Sequence, residues 1–160
     1  MINLLRVDNR LIHGQVVESW LPTLKVRRVL VADDEAAGSA LVRAAMGLAV
    51  PPTIDVVIEP LEVMDFPRLA SDGVSSLLLV REVAGVSRAF ARGMGVVPIQ
   101  LGNIHFATGR RQATPSVFLS PEELEALKML HAQGCPVEVR AVPSEKPLSL
   151  QELVRRLPPG

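Results

Sequence analysis

Short apolar runs alternate with amphipathic stretches from one end of the chain to the other. Ile2 to Val7, Arg27 to Ala32, Ile54 to Ile58, Ser76 to Val80, Val97 to Leu101, Ser116 to Leu119 and Val137 to Val142 read as seven strands. The run SLLLV at Ser76 to Val80 shows no alternation, the mark of a central strand covered on both faces. Helical patterns fill the gaps, at about 13–24, 35–48, 60–70, 83–94, 121–133 and 148–157. Asp33 and Asp34 offer a cap to the second of these, and Pro51 and Pro52 stop it. Ser120, Pro121, Glu122 and Glu123 spell a capped helix start with proline at its first position. Pro22 is placed to bend or shorten the first helix. The alternation predicts an α/β fold: one open, mostly parallel sheet of about seven strands, with helices on both faces.

Length and composition narrow this picture. A chain of 160 residues, with no repeat, linker or low-complexity segment, is expected to be a single domain over 1–160. Apolar residues make up 48% of it and aromatic residues only 3%, so the core must be aliphatic. Seventeen basic residues balance seventeen acidic ones, which argues against nucleic acid as a partner. The one cysteine, Cys135, forbids an intramolecular disulfide and reads as an inert thiol at a strand start. No apolar run reaches the ~20 residues of a membrane helix, so membrane insertion is not expected. The N-terminus is a strand rather than a leader, and a cytoplasmic protein is the reading.

The chemistry concentrates in residues 6 to 20, RVDNRLIHGQVVESW. A strand runs into a polar turn of Asp8, Asn9 and Arg10, and a helix opens at His13 and Gly14. The free N–H groups of a helix's first turn and its dipole suit an anion. A neutral imidazole at that point is a nucleophile. Arg10 could clamp phosphate oxygens with two parallel hydrogen bonds. Asp8, acceptor-only when ionised, could hold Arg10 or fix the tautomer of His13. Gln15 in the first turn could offer a further donor, and Gly14 allows close backbone approach.

This stretch resembles the opening of the B component of enzyme II in the mannose/fructose/sorbose class of the bacterial sugar phosphotransferase system. That opening reads approximately R-[IV]-D-[DN]-R-L-I-H-G-Q-V, and each position is filled here. The resemblance implies a seven-stranded, mostly parallel sheet with one late antiparallel strand, and it makes His13 the phosphorylated histidine. It implies a protein-Nπ-phosphohistidine–sugar phosphotransferase. Such a protein takes its phosphoryl group from the phosphorylated IIA component and delivers it to a sugar held by the IIC and IID membrane components, docking at the inner face of the membrane. No cofactor and no metal are expected.

Sites in parallel α/β folds gather where strands end. That rim would bring Asp33, Asp34, Arg81, Glu82, Gly102, Asn103 and His105 near His13. The stretch from Gly102 to Gln112 reads as a long basic loop. The family loop has a glycine pair at its start. Here Asn103 stands at the second position, a residue that tolerates left-handed angles, and it joins Arg10, Gly14 and Gln15 as a phosphate-binding candidate. His105 is a candidate second proton carrier. His131 reads as exposed at a helix end. Arg6, Arg110 and Arg111, with Arg27 and Arg28, could form a local basic face toward an acidic partner. The phosphate-loop, dinucleotide and C-x-x-C signatures are absent. A rival reading is a stand-alone regulatory module whose partner senses the charge on His13.

Overall fold

The computed structural model describes residues 1–159. Seven strands form one sheet in the order β3-β2-β4-β1-β5-β8-β9. They are β1 (Ile2–Asp8), β2 (Arg28–Ala32), β3 (Asp55–Glu59), β4 (Ser76–Val80), β5 (Ile99–Asn103), β8 (Val137–Val139) and β9 (Leu148–Ser149). All neighbours are parallel except β8 and β9, so the late antiparallel strand is present. Every residue of β2 and β4 is buried, as the unbroken apolar runs require.

The count of seven matches the sequence reading, but the membership differs. Ser116 to Leu119 does not join the main sheet. Its core forms β7 (Val117–Leu119), which pairs antiparallel with β6 (Arg111–Thr114) as a separate hairpin. The place at the edge goes to β9, inside the stretch predicted to be helical. The strand predicted to reach Val142 stops at Val139, because the carbonyls of Arg140 and Ala141 are claimed by the Arg6 side chain rather than by a neighbouring strand.

Helices cover both faces. A helical segment from Gly14 leads through a π-helical stretch, Val16–Trp20, into α1 (Leu21–Leu24). α2 (Asp34–Ala37) and α3 (Ala40–Ala49) share that face, where Leu4, Leu11, Val16, Val29 and Leu77 are buried together. α4 (Phe66–Ser71), α5 (Val83–Ala91), α6 (Pro121–Ala132) and α7 (Leu150–Arg156) lie against the other face, over Leu5, Val7, Leu78 and Ile99. The connection after β1 therefore leaves on one face and that after its neighbour β4 on the other. Such a divergence opens a crevice at the carboxyl ends of the strands.

Local signals explain the boundaries. Pro22 does not end its helix. The Leu21 N–H reaches back to the Val16 carbonyl, a one-residue widening that gives the proline ring room. The helix stops two residues later, with Lys25 at φ 54. Asp33 caps α2 through the Ala36 N–H, and Ser39 opens α3 as a separate helix, so the predicted 35–48 helix is two. The predicted helix at 60–70 begins only at Phe66, capped by Asp65. Ser120 and Glu123 form the predicted capping box. Gly160 lies outside the described residues.

Candidate functional site

β1 presents alternate residues to opposite faces. Leu5 and Val7 join the core under α5, while Arg6 and Asp8 point under the helical segment that starts at Gly14. At the end of β1 the chain turns at once: the Leu11 N–H donates to the Asp8 carbonyl at 2.9 Å. Leu11 sits at φ 56, a left-handed angle that costs a non-glycine residue about 1–2 kcal/mol. Its fully buried side chain holds it there. The turn is tied on both sides. Asn9 N–H donates to the Asn103 carbonyl of β5 at 3.0 Å, and Arg81 after β4 donates to the Asn9 carbonyl at 3.2 Å while gripping Asp33 with two further bonds. A strained turn pinned on both flanks presents Arg10 and His13 at the crevice mouth.

Asp8 is the hub. Its carboxylate is fully buried, and Oδ2 accepts from His13 Nε2 at 2.8 Å and from Asn103 Nδ2 at 2.8 Å. Oδ1 accepts from the Arg10 backbone N–H at 3.0 Å. Burial alone would raise the Asp8 pKa. The bonds from His13 and Asn103, the His13 charge and the Arg10 N–H outweigh it, so the carboxyl lies below its ordinary value. An ionised carboxylate only accepts, so Nε2 of His13 must carry a proton. That leaves Nδ1 of the neutral ring with its lone pair free. Of the two contacts read for Asp8, the one to the His13 ring is present. Its bond to Arg10 is to the backbone, not to the guanidinium.

Behind Asp8 lies Arg6, and here the sequence reading is corrected. Arg6 is fully buried and cannot face a partner. Its guanidinium donates to Gln100 Oε1 at 2.6 Å, to the carbonyls of Arg140 and Ala141 at 2.9 and 3.0 Å, and to Gln15 Oε1 at 2.9 Å. Nε lies 3.4 Å from Asp8 Oδ2. The Trp20 ring lies beneath it, 5.2 Å from Cζ, with Arg140 also over that ring at 5.7 Å. Burial pulls the Arg6 pKa below its ordinary value, and Asp8 works against that shift. Gly102 is glycine for this reason. A Cβ there would stand 2.2 Å from Arg6 Cζ.

Asn103 is also reassigned. It lies in β5 with ordinary backbone angles, so its tolerance of left-handed conformations plays no part. Its amide is spent on Asp8 and on Gln15 Oε1, at 2.8 and 3.0 Å, rather than held free for phosphate. Gln15 fares differently. With Oε1 taken by Arg6 and Asn103, its orientation is fixed and its NH₂ group turns away from both. Gly14 is exposed, and a Cβ there would meet nothing within 4 Å.

The proposed basic face does not form. Arg110 is mostly buried, bonded to Glu123 by two hydrogen bonds and to Glu82 and the His105 carbonyl by one each. Arg111 is exposed on the hairpin and donates to the Pro158 carbonyl. Arg28 is buried and paired with Asp72 at the opposite end of the sheet. Arg10 is exposed beside the site with no side-chain ion pair among the described residues, as is Arg27 at the opposite end of the sheet. His105 comes to the rim, its Nδ1 in contact with the Asn9 amide, and Phe106 beside it is exposed. His131 is exposed in the last turn of α6, and Cys135 is buried where β8 begins, at the far end from His13.

A family model described as the PTS system sorbose subfamily IIB component matches residues 2–157. The chain belongs to this IIB family. Among curated relatives, the N-acetylgalactosamine-specific phosphotransferase enzyme IIB component 2 of Escherichia coli K12 is 32% identical over 96% of this chain and 98% of its own length. The mannose-specific EIIAB component of the same strain is 29% identical over 98% of this chain, which spans only 49% of that longer protein. In fold, the IIB domain of the sorbose permease from Klebsiella pneumoniae superposes with a TM-score of 0.86 at 22% identity, covering 99% of this chain and 98% of that one. No described helix of this IIB protein is long and apolar enough to cross a membrane.

Proposed function

We propose that this IIB protein is a phosphoryl carrier that uses His13 Nδ1 as its acceptor. The observation that carries the proposal is the Asp8–His13 hydrogen bond, which occupies Nε2 and leaves Nδ1 with an unshared pair on a ring that is 13% exposed. Nδ1 attacks the phosphorus of a phosphohistidine on a IIA component. The new N–P bond forms as the donor's N–P bond breaks, and that electron pair stays on the donor imidazole. The positive charge gathered on the His13 ring is offset by the Asp8 carboxylate. Donor and acceptor are both imidazoles, so the exchange is nearly even in energy and needs positioning above all. Arg10, the Gln15 NH₂ and the N–H groups of the first helical turn are the donors at hand for the phosphoryl oxygens. The group then passes to a sugar at IIC and IID membrane components, with the IIB protein docked from the cytoplasmic side.

Cys135, the other nucleophile a IIB protein could use, is fully buried at the wrong end of the sheet. Incubation with a phosphorylated IIA component tests the choice. Wild type and Cys135→Ser should take up label that is released by acid, and His13→Ala should take up none. Label on His13→Ala, or its loss in Cys135→Ser, would contradict the assignment.

A further inference from the structure

The helix α3, ALVRAAMGLA, carries one charge in ten residues and not one buried residue. A helix apolar on all sides is ordinarily enclosed. Here Met46 reaches the core and Val42 is less exposed than Leu41 or Leu48, which fixes the side turned toward the sheet. Leu41, Ala44, Ala45 and Leu48 fall at i, i+3, i+4 and i+7, a single stripe turned outward. Leu41 is 80% and Leu48 88% exposed.

We infer that this stripe is the contact between two copies of the chain, packed as antiparallel α3 helices about a two-fold axis. The spacing itself names the occupant. Read in either direction the stripe is Leu, two residues, Ala, Ala, two residues, Leu, so it is complementary to itself across an axis between Ala44 and Ala45. Leu41 of one copy then covers Leu48 of the other, and the reverse, as an isologous contact demands. The alanines at the centre let the helix axes close to about 8 Å. Arg43 lies off the stripe, so no charge opposes its own copy, and none is offered to a charged partner.

The neighbouring edge strand β3 does not supply the contact. Pairing two copies of DVVIE antiparallel about Val57 would set Asp55 against Glu59 at both ends, and facing like charges disfavour that ladder. A ten-residue helix is about 15 Å long. A pair of that length covers less than the roughly 800 Å² per partner of a standard interface, so the dimer is weak and grows in only at high concentration.

Sedimentation of the full chain across about 10 µM to 1 mM should show the average mass climbing from monomer toward dimer, as an interface of this size implies. Leu48→Lys, at an exposed position, should stay monomeric with an unchanged melting temperature. A second measurement fixes the register. Residues 41 and 48 lie about 10 Å apart along the helix, beyond disulfide reach. Leu41→Cys and Leu48→Cys should therefore crosslink with each other on mixing, and neither should crosslink well with itself. A wild type that is monomeric throughout, a Leu48→Lys protein that associates like wild type, or self-linking as fast as mixed linking would each overturn the inference.

Discussion

The sheet carries an arginine–aspartate cluster at each end, and the two are finished differently. Where the strands begin, Arg28 grips Asp72 through two bonds of 2.7 and 3.1 Å and Ser76 Oγ through a third at 2.8 Å. The terminal ammonium of Met1 adds a bond to Asp72 at 2.9 Å. Charge there is consumed within the cluster. Where the strands end, Asp8 is just as saturated, but its partners are not. Arg10 lends Asp8 only its backbone N–H and His13 only Nε2, while Gln15, one step removed, accepts from Arg6 and Asn103 through its oxygen alone. What remains of each, a guanidinium, a ring nitrogen and an amide NH₂, makes no hydrogen bond or ion pair among the described residues. A structural cluster closes on itself. A working one fixes its members from behind and leaves their other halves unspent.

Substitutions at the two ends should therefore separate transfer from stability. The largest effect is expected from Asp8→Asn, which can offer His13 a weaker acceptor and no charge. Phosphoryl uptake from the donor protein should slow on the order of 10²-fold in rapid-quench labelling. Arg10→Ala should slow it about tenfold, the worth of one charge-assisted bond to a phosphoryl oxygen, with the melting temperature unmoved. Arg28→Ala should do the reverse, lowering the melting temperature by roughly 3–8 °C while the uptake rate holds. If Arg28→Ala slowed uptake as much as Arg10→Ala, the division between the two ends would fail.

Acid should bring the smallest separation. Asp8, Asp33 and Asp72 all have carboxyl pKa values below the ordinary 3.8. For Asp8 and Asp33 burial acts the other way and is outweighed by bonds from His13 and Arg81 respectively. For Asp72 the Arg28 bond leads. A carboxyl depressed in the folded state stabilises fully above its unfolded value, and that contribution is lost as pH falls through the folded one. Denaturant midpoints should thus stay level from neutral pH to about 5 and drop below about 4. Asp72→Asn should make that drop shallower.

The contiguous part of the site was legible in the chain. Asp8, Arg10, His13 and Gln15 sit within one turn and one helix start, where spacing alone sets geometry. Arg6 was misread because an arginine in sequence looks like surface. Its burial depends on Gln100, Gly102, Arg140 and Ala141, which only the folded sheet brings to it. Arg110 was misread for the same reason, since Glu123 and Glu82 reach it from other elements. The 111–119 hairpin hid behind the polar run Arg110, Arg111, Gln112, which carries no strand period. The parallel strands were plain because burial on both faces leaves unbroken apolar runs. The two-residue β9 is too short to leave any pattern.

The account rests on which ring nitrogen of His13 bears the phosphoryl group. Nitrogen-15 NMR of the protein phosphorylated by its donor, with imidazole nitrogens labelled, reads this directly. We predict phosphorus coupling at Nδ1 of His13 and a protonated Nε2 still bonded to Asp8. Phosphorus on Nε2, or on any other residue, would contradict it.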